Sequence, residues 1–317
     1  MIIPLLLLIL GFVLLIKGAD WLVKGAAAVA RKKKVSDLAV GLTVVAFGTS
    51  APELVVNTFA AYDKHYDLVL GNIIGSNIFN LFAILGLTGI ITSIKVQAST
   101  ARKEIPFSFL ALLVLFIMTN DFFSDSQKVS RFDGILLLLM FVYFLYYVFK
   151  QLGKNVIVDT IEEKHLPDYR TALLIIVGLT GLIIGGRLVV INAEKLALAW
   201  GMSEKVIGLT IVAMGTSLPE LATSVIAAYR KNNDIAVGNI IGSNIFNIFL
   251  ILGASAIIEP VIFNSRFNMD MYVLAAGTIL LFAMMFTGKK NLLDRWEALI
   301  LFLLFVSYTT YLITMGS

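Results

Sequence analysis

Long apolar runs separated by short polar breaks fill almost the whole chain. The runs continue for about twenty residues, without the period-two alternation over about ten residues that is typical of strands in a membrane barrel. Each run is about long enough to cross a hydrocarbon core of roughly 30 Å as a helix, which satisfies its own backbone groups in lipid. The pattern predicts an all-α membrane protein with ten transmembrane helices, at 3–29, 38–62, 68–92, 105–120, 132–149, 171–199, 205–228, 235–258, 271–287 and 294–315.

The composition agrees with this pattern, because 59% of the 317 residues are hydrophobic and only 15% are charged. The odd-numbered connections between predicted spans hold 16 Lys and Arg residues, and the even-numbered connections hold five. Cytoplasmic loops of membrane proteins carry such an excess, so we expect both termini to be extracytoplasmic in a multi-pass protein of the cell (inner or plasma) membrane. The basic clusters are therefore topology signals. We expect no nucleic acid as a partner, and no protein partner is implied.

The chain contains an internal duplication. Residues 41–86 align with 208–253 without a gap, and 30 of the 46 positions are identical. Each copy belongs to a unit of five spans, and because five is odd the second copy enters the membrane from the opposite side. The sequence predicts a first five-helix repeat at 1–150, a cytoplasmic linker at 151–170 and a second, inverted five-helix repeat at 171–317.

A proline lies near the centre of spans two and seven, in the shared motif G-T-S-x-P-E-L. Pro52 and Pro219 lack an N–H, and their rings collide with the carbonyl four residues back, so helices 2 and 7 should be broken. Ser50 and Glu53 have the S-x-x-E spacing of a capping box, which the second copy repeats. A second half-helix should therefore begin at each serine.

The two motif glutamates, Glu53 and Glu220, have two alternative explanations. They serve only as helix caps, or they bind ions. An acidic residue at the bilayer centre costs about 2.5–3.5 kcal/mol, and a neutral Gln or Ser would cap without that cost. No basic residue recurs at the same depth in both copies, so we favour a bound cation as the counter-charge.

The surrounding groups suit a hard cation. Calcium prefers shells of six to eight oxygens, and carbonyls stranded by the prolines add to the supply. The chain has no Cys, and His65 and His165 lie in connections, which argues against zinc or copper. The hydroxyls of the motif belong to Thr49, Ser50, Thr216 and Ser217.

A second motif, G-N-I-I-G-S-N-I-F-N, occurs in spans three and eight. Its Asn, Ser and Asn recur every four residues and form a polar stripe along one helix face. We favour a role in the site for four of these residues, although Asn and Ser also bridge transmembrane helices. The stripes comprise Asn72, Ser76 and Asn80 in the first copy and Asn239, Ser243 and Asn247 in the second, while Asn77 and Asn244 lie off the stripes and should bridge helices.

Together the two motifs resemble the paired alpha repeats of the sodium/calcium exchangers, within the calcium/cation antiporter superfamily. The likeness extends over all ten predicted spans and is greatest to prokaryotic members without a cytoplasmic regulatory domain. It implies a core of spans two, three, seven and eight, across which spans one and six slide. It implies a secondary active antiporter that works by alternating access, not an enzyme, with no cofactor beyond the transported Ca²⁺ and Na⁺.

The resemblance also implies the ligands of each ion. Calcium would be bound by the two glutamates and the motif threonines, namely Glu53, Glu220, Thr49 and Thr216. Sodium would be bound by the same glutamates, four serines and two carbonyls, namely Ser50, Ser217, Ser76, Ser243, Ala46 and Ala213. The asparagines Asn80 and Asn247 would complete the central site.

The charges of the site imply an electrogenic exchange. Two ionised carboxylates balance one Ca²⁺, whereas three Na⁺ would leave the site at +1. One net charge moved through 100 mV is worth about 2.3 kcal/mol, so entering sodium would drive calcium out of the cell.

Other coupling ions and other protein classes are weaker alternatives. Potassium-dependent relatives carry Asp where this chain has Asn247, and proton-coupled relatives carry a further acid in the G-N motif. A proton-driven Ca²⁺/cation antiporter on the same fold remains the main alternative. Some prokaryotic sodium/calcium members also carry Asp at the position of Asn247. An intramembrane hydrolase lacks its H-E-x-x-H motif here, and a channel is disfavoured because broken helices in inverted halves are typical of transporters.

Overall fold

The computed structural model of the chain describes residues 2–120, 127–151, 167–199 and 213–315. The helices of the first half are α1 (Ile2–Lys33), α2 (Asp37–Thr49), α3 (Ala51–Tyr62), α4 (Tyr66–Ile91), α5 (Ile105–Asn120) and α6 (Arg131–Gln151). Those of the second half are α7 (Asp168–Ala199), α8 (Ala213–Gly215), α9 (Leu218–Tyr229), α10 (Asn233–Ile258), α11 (Phe267–Met284) and α12 (Arg295–Met315). The predicted linker 151–170 lies mostly outside the described residues.

The described helices make the chain a multi-pass membrane protein, but fewer of them are long enough to span than the ten predicted. Seven are long and apolar enough to cross a membrane, or eight when the bent pair α2 and α3 counts as one span. The predicted span 105–120 corresponds to α5, which has only 16 residues and follows a π-helical turn at Thr100–Glu104. The predicted span 205–228 begins outside the described residues, which resume at Ala213.

The predicted break in span two is present. Helices α2 and α3 meet at Ser50 with a bend of 49°, and Pro52 is the second residue of α3. In the second half Ser217 has a similar backbone conformation immediately before α9. The predicted capping box is wrong, because neither serine side chain bonds the backbone of the helix that follows. Both hydroxyls reach instead to the other half of the molecule, as described below.

Helices α4 and α10 form the centre of the molecule. Their most apolar stretches are 78% and 83% buried within the protein, against 17–39% for the other long helices. Each contains a π-helical turn, at Phe79–Ile84 and Asn247–Leu252. Such turns are rare and occur frequently at functional sites. The two helices that carry the second motif are therefore enclosed by protein, whereas the outer helices present apolar side chains to lipid.

Helices α1 and α7 cross at glycines. They run antiparallel, with Gly11 against Gly185 and Gly18 against Gly178. A Cβ added at Gly18 would lie 2.7 Å from the carbonyl oxygen of Gly178, so the two backbones approach as closely as small residues allow.

Odd-numbered connections contact odd-numbered ones, and even-numbered connections contact even-numbered ones. Strand β1 (Ile94–Lys95), in the third connection, pairs antiparallel with β4 (Leu292–Leu293), in the ninth. Strand β2 (Lys128–Val129), in the fourth, pairs antiparallel with β3 (Val261–Ile262), in the eighth. The ion pair between Arg266 and Asp67 also joins two even-numbered connections or their flanks. Connections that the predicted topology places on one side of the membrane thus contact each other.

Candidate cation site

Serines of the broken helices bond the glutamates of the opposite half. Ser50 donates a hydrogen bond of 2.9 Å to Glu220 Oε1, and Ser217 donates one of 3.2 Å to Glu53 Oε1. All four side chains are at most 3% exposed. Because each half supplies the partner of the other, the two motifs form one enclosed polar cluster.

The serines of α4 and α10 extend this cluster. Ser243 lies 3.0 Å from the Ser50 hydroxyl, and Ser76 lies 3.2 Å from the Ser217 hydroxyl. Ser243 also donates to Glu220, at 3.4 Å. Each glutamate therefore accepts a bond from a serine of a broken helix, and that serine in turn contacts a serine of a central helix.

The motif threonines bond the first asparagine of the stripe in the opposite half. Thr49 donates to Asn239 Oδ1 at 3.0 Å, and Thr216 donates to Asn72 Oδ1 at 3.4 Å. These bonds tie each broken helix to the central helix of the other half.

Asparagines also join the two central helices to each other. Asn247 donates to Asn77 Oδ1 at 2.8 Å, and Asn80 donates to Asn244 Oδ1 at 3.1 Å. Asn77 additionally donates to the backbone carbonyl of Asn244. Asn77 and Asn244 therefore bridge helices, and they hold the amide nitrogens of Asn80 and Asn247 away from the cluster's carboxylates.

Four buried oxygen atoms of the cluster have no hydrogen-bond partner among the described residues. They are the second carboxylate oxygens of the glutamates and the amide oxygens of the stripe asparagines, namely Glu53 Oε2, Glu220 Oε2, Asn80 Oδ1 and Asn247 Oδ1. Buried polar atoms are normally bonded, so a group of unpaired oxygens calls for a ligand. The ion-pair contacts of the described residues include neither glutamate. The arrangement offers only oxygen atoms and two acids, which suits a hard cation.

Comparison with known proteins identifies the family. The sequence profile of the sodium/calcium exchanger protein family matches residues 3–150 and 170–314, which is nearly the whole chain. The chain belongs to the sodium/calcium exchanger family. It is accordingly a membrane antiporter of the kind that moves cations such as Ca²⁺.

Individual members of the family resemble it over their full length. The chain is 38% identical to the putative antiporter CaxA of Alkalimonas amylolytica, over 97% of its own length and 98% of the relative's. It is 28% identical to the sodium/calcium exchanger MaX1 of Methanosarcina acetivorans, over 97% of both proteins. A solved structure of the sodium-calcium exchanger NCX_Mj matches it with a TM-score of 0.83 and 33% identity, over 98% of both chains.

The predicted sodium-binding carbonyls lie at the broken helices of this family member. The Ala46 carbonyl accepts the Ser50 N–H at 3.0 Å and the Thr49 hydroxyl at 3.4 Å. Ala213 is the first residue of α8, immediately after residues that the structure does not describe. The Ala46 oxygen is therefore beside the cluster but already bonded.

One buried polar residue beside the cluster was not predicted from the sequence. Asn57 lies one turn after Glu53, donates to the Glu53 carbonyl at 2.7 Å, and has a buried amide oxygen without a partner. The comparison of the two copies does not single it out, because the equivalent residue is Ser224. Its spacing of four from Glu53 is the signal that could have found it.

The two sides of the cluster differ in exposure. Gly75 is exposed, and no described atom lies within 4 Å of a Cβ built there. At the equivalent Gly242 a Cβ would lie 2.8 Å from the Ala46 side chain, and the residue is buried. Likewise Asn72 is half-buried, whereas its counterpart Asn239 is fully buried. Gly242 is therefore packed against α2, whereas residues 208–212, which correspond to the part of α2 at 41–45, lie outside the described residues.

Proposed function

We propose that the chain exchanges Na⁺ for Ca²⁺ across the cell membrane by alternating access, with Ca²⁺ extruded. The observation that carries the proposal is the set of four unpaired buried oxygens on Glu53, Glu220, Asn80 and Asn247. Two of them belong to carboxylates and two to neutral amides, so a bound Ca²⁺ would neutralise the pair of charges. Burying an unpaired carboxylate is very costly, which makes a cation the natural partner of the two acids.

The hydroxyl groups around the acids support sodium as the exchanged ion. Ser50 and Ser217 each lie between a glutamate and a serine of a central helix. These pairs of hydroxyls, with the nearby Ala46 carbonyl, would offer oxygen ligands on either side of a central site. Thr49 and Thr216 would add their oxygens to the Ca²⁺ shell from positions fixed by Asn239 and Asn72.

The charge count makes the proposed exchange electrogenic. With Glu53 and Glu220 ionised and the asparagines neutral, one Ca²⁺ gives a neutral site and three Na⁺ give a net charge of +1. Asn247 keeps the site at two negative charges where an Asp would add a third. A membrane potential that is negative inside would therefore favour Na⁺ entry and Ca²⁺ exit.

Contacts within the fold support ten spans in two inverted repeats, at 1–150 and 171–317. Except for the bond from Asn77 to the Asn244 carbonyl, each bond of the cluster that joins the halves has a counterpart with the roles of the halves exchanged, as in the pair Ser50 with Glu220 and Ser217 with Glu53. The strand pair β1 with β4 joins two odd-numbered connections, and the pair β2 with β3 joins two even-numbered ones. A pseudo-two-fold axis in the membrane plane would produce both patterns.

The excess of Lys and Arg in the odd-numbered connections supports extracytoplasmic termini. With that orientation the first residues of α4, at Gly75 and Asn72, would face away from the cytoplasm, and the corresponding residues of α10, at Gly242 and Asn239, would face it. Access to the cluster from these two ends in turn would carry ions across the membrane.

The coupling ion is tested by measuring ⁴⁵Ca²⁺ uptake into proteoliposomes against imposed Na⁺, K⁺ and H⁺ gradients, one at a time. An outward Na⁺ gradient should drive uptake, whereas K⁺ or H⁺ gradients alone should not. Uptake driven by a pH gradient in the absence of Na⁺ would establish the proton-driven antiporter instead.

A further inference from the structure

A further buried acid, Glu104, lies outside the cluster of the candidate cation site. Glu104 closes the π-helical turn Thr100–Glu104 that precedes α5, and it is only 2% exposed. Tyr147 donates a hydrogen bond of 2.6 Å to its Oε1, while its Oε2 has no hydrogen-bond partner among the described residues. Its neighbours Arg102 and Lys103 are exposed, and neither forms an ion pair with it in the described part of the chain.

A small cavity adjoins this carboxylate. Its volume is about 20 Å³, enough for one water-sized occupant, and Ser36, Gln97, Ser99 and Glu104 contribute polar atoms to its wall. The amide nitrogen of Gln97 donates to Asp234 at 2.6 Å, and the amide oxygen of Gln97 accepts from Ser99 at 3.3 Å. The cavity is therefore lined by a carboxylate, an amide and two hydroxyls, all of which carry oxygen.

A small cation accounts for this arrangement. Glu104 Oε2 makes no hydrogen bond with any described atom, and it adjoins a cavity lined by residues that carry several other oxygens. A buried carboxylate is stable when it is paired with a positive charge or bound to a metal. One carboxylate in a cavity for one small occupant balances one monovalent ion.

We infer that this cavity, between the start of α2, the turn before α5 and α6, is a second cation site that binds one Na⁺. In the second repeat Tyr308 donates a similar hydrogen bond of 2.7 Å to Asp270, but Asp270 is only partly buried and neither of its oxygens is a buried atom without a partner among the described residues. The site is thus distinct from the duplicated transport site. Since Ser36 is the N-cap of α2, an ion held here would fix the helix that carries Thr49 into the transport site.

The experiment removes the transport site first, so that its result does not depend on the proposed exchange. Protein with Glu53→Gln and Glu220→Gln is reconstituted in nanodiscs, and its Tm is measured as NaCl replaces choline chloride at constant ionic strength. Equilibrium dialysis with ²²Na⁺ counts the bound ions. We expect a saturable rise in Tm of several degrees and one Na⁺ per chain, because a ligand that binds only the folded state stabilises it.

Addition of Glu104→Gln should abolish both the rise in Tm and the bound Na⁺. The matched control is Glu297→Gln, a fully buried acid whose oxygens already accept bonds from Thr287 and the Asp294 N–H, and it should leave both unchanged. Should Glu104→Gln not fold, Ser99→Ala removes one cavity hydroxyl and should raise the Na⁺ midpoint several-fold. The inference is overturned if NaCl does not raise the Tm of the Glu53→Gln, Glu220→Gln protein above its value in choline chloride. It is also overturned if the rise in Tm persists after Glu104→Gln, or if Ser99→Ala leaves the Na⁺ concentration at the midpoint of the rise unchanged.

Discussion

Ser50 and Glu220 are 170 positions apart in the chain, and the Ser50 hydroxyl donates a hydrogen bond of 2.9 Å to Glu220 Oε1. Ser217 makes the equivalent bond to Glu53 at 3.2 Å. Each broken helix thus orients the acid of the other half rather than its own. The site therefore requires both copies of the motif, since one copy alone would leave a buried glutamate without its serine.

The crossed serines should contribute to ion binding about equally. Ser50→Ala and Ser217→Ala each remove a hydrogen bond to a carboxylate, worth about 1.5–3 kcal/mol. We expect each to raise the Na⁺ concentration for half-maximal ⁴⁵Ca²⁺ uptake by at least about tenfold. Ser255→Ala, which alters a fully buried serine outside the cluster, should not change it. A shift in only one of the two variants would contradict the equivalence of the halves.

The bridging asparagine Asn77 should matter for both stability and calcium binding. Asn77→Ala leaves the Asn247 amide nitrogen without its acceptor, which costs about 1–3 kcal/mol for a buried group. We expect a lower Tm and a weaker apparent affinity for Ca²⁺, measured by thermal unfolding and by uptake. The control Asn192→Ala removes an amide nitrogen that, among the described residues, bonds only its own helix, to the Leu188 carbonyl, and it should leave Ca²⁺ affinity unchanged. Equal losses of affinity in the two variants would argue against a bridging role.

The crossing of α1 and α7 should not tolerate added volume. In Gly18→Ala the new Cβ would lie 2.7 Å from the Gly178 carbonyl oxygen, so the backbones must separate at a cost of about 1–3 kcal/mol. Thermal unfolding should show a Tm several degrees lower. Gly186→Ala, on the same helix α7, places its Cβ at an ordinary contact distance of 3.8 Å from Pro219 and should leave the Tm within a degree of the wild type. A normal Tm for Gly18→Ala would show that the helices are not packed this closely.

The proposed charge movement should make transport depend on voltage. If one net charge crosses per cycle, a potential of 100 mV is worth about 2.3 kcal/mol, which is about fifty-fold in the equilibrium Ca²⁺ ratio. A K⁺ diffusion potential set with valinomycin in proteoliposomes should change the Na⁺-driven Ca²⁺ gradient by that factor. An unchanged gradient would indicate electroneutral exchange.

Much of the cluster was predictable because the motif is duplicated. Two copies of an acid beside a helix-breaking proline indicate a shared site, and the structure places both acids in one polar cluster. The capping box was wrong because a hydroxyl in the membrane has a better acceptor in a buried carboxylate than in a backbone N–H of the next turn. Local spacing cannot reveal a partner on another helix.

Features without a repeat were missed for the opposite reason. Asn57 has Ser224 at the equivalent position, and Glu104 lies beyond the aligned residues 41–86, so the alignment of the two halves marks neither of them. The π-helical turns in α4 and α10 depend on packing against neighbouring helices, which hydropathy does not describe.

The most direct test of the exchange site is Na⁺-driven ⁴⁵Ca²⁺ uptake by proteoliposomes that contain Glu53→Gln or Glu220→Gln. Each substitution removes one of the two charges that balance Ca²⁺ but keeps the side-chain volume. The account predicts that each variant folds with a Tm close to that of the wild type and transports no Ca²⁺ above protein-free liposomes, while Glu297→Gln transports normally. Uptake at the wild-type rate in either variant would contradict the assignment of the site.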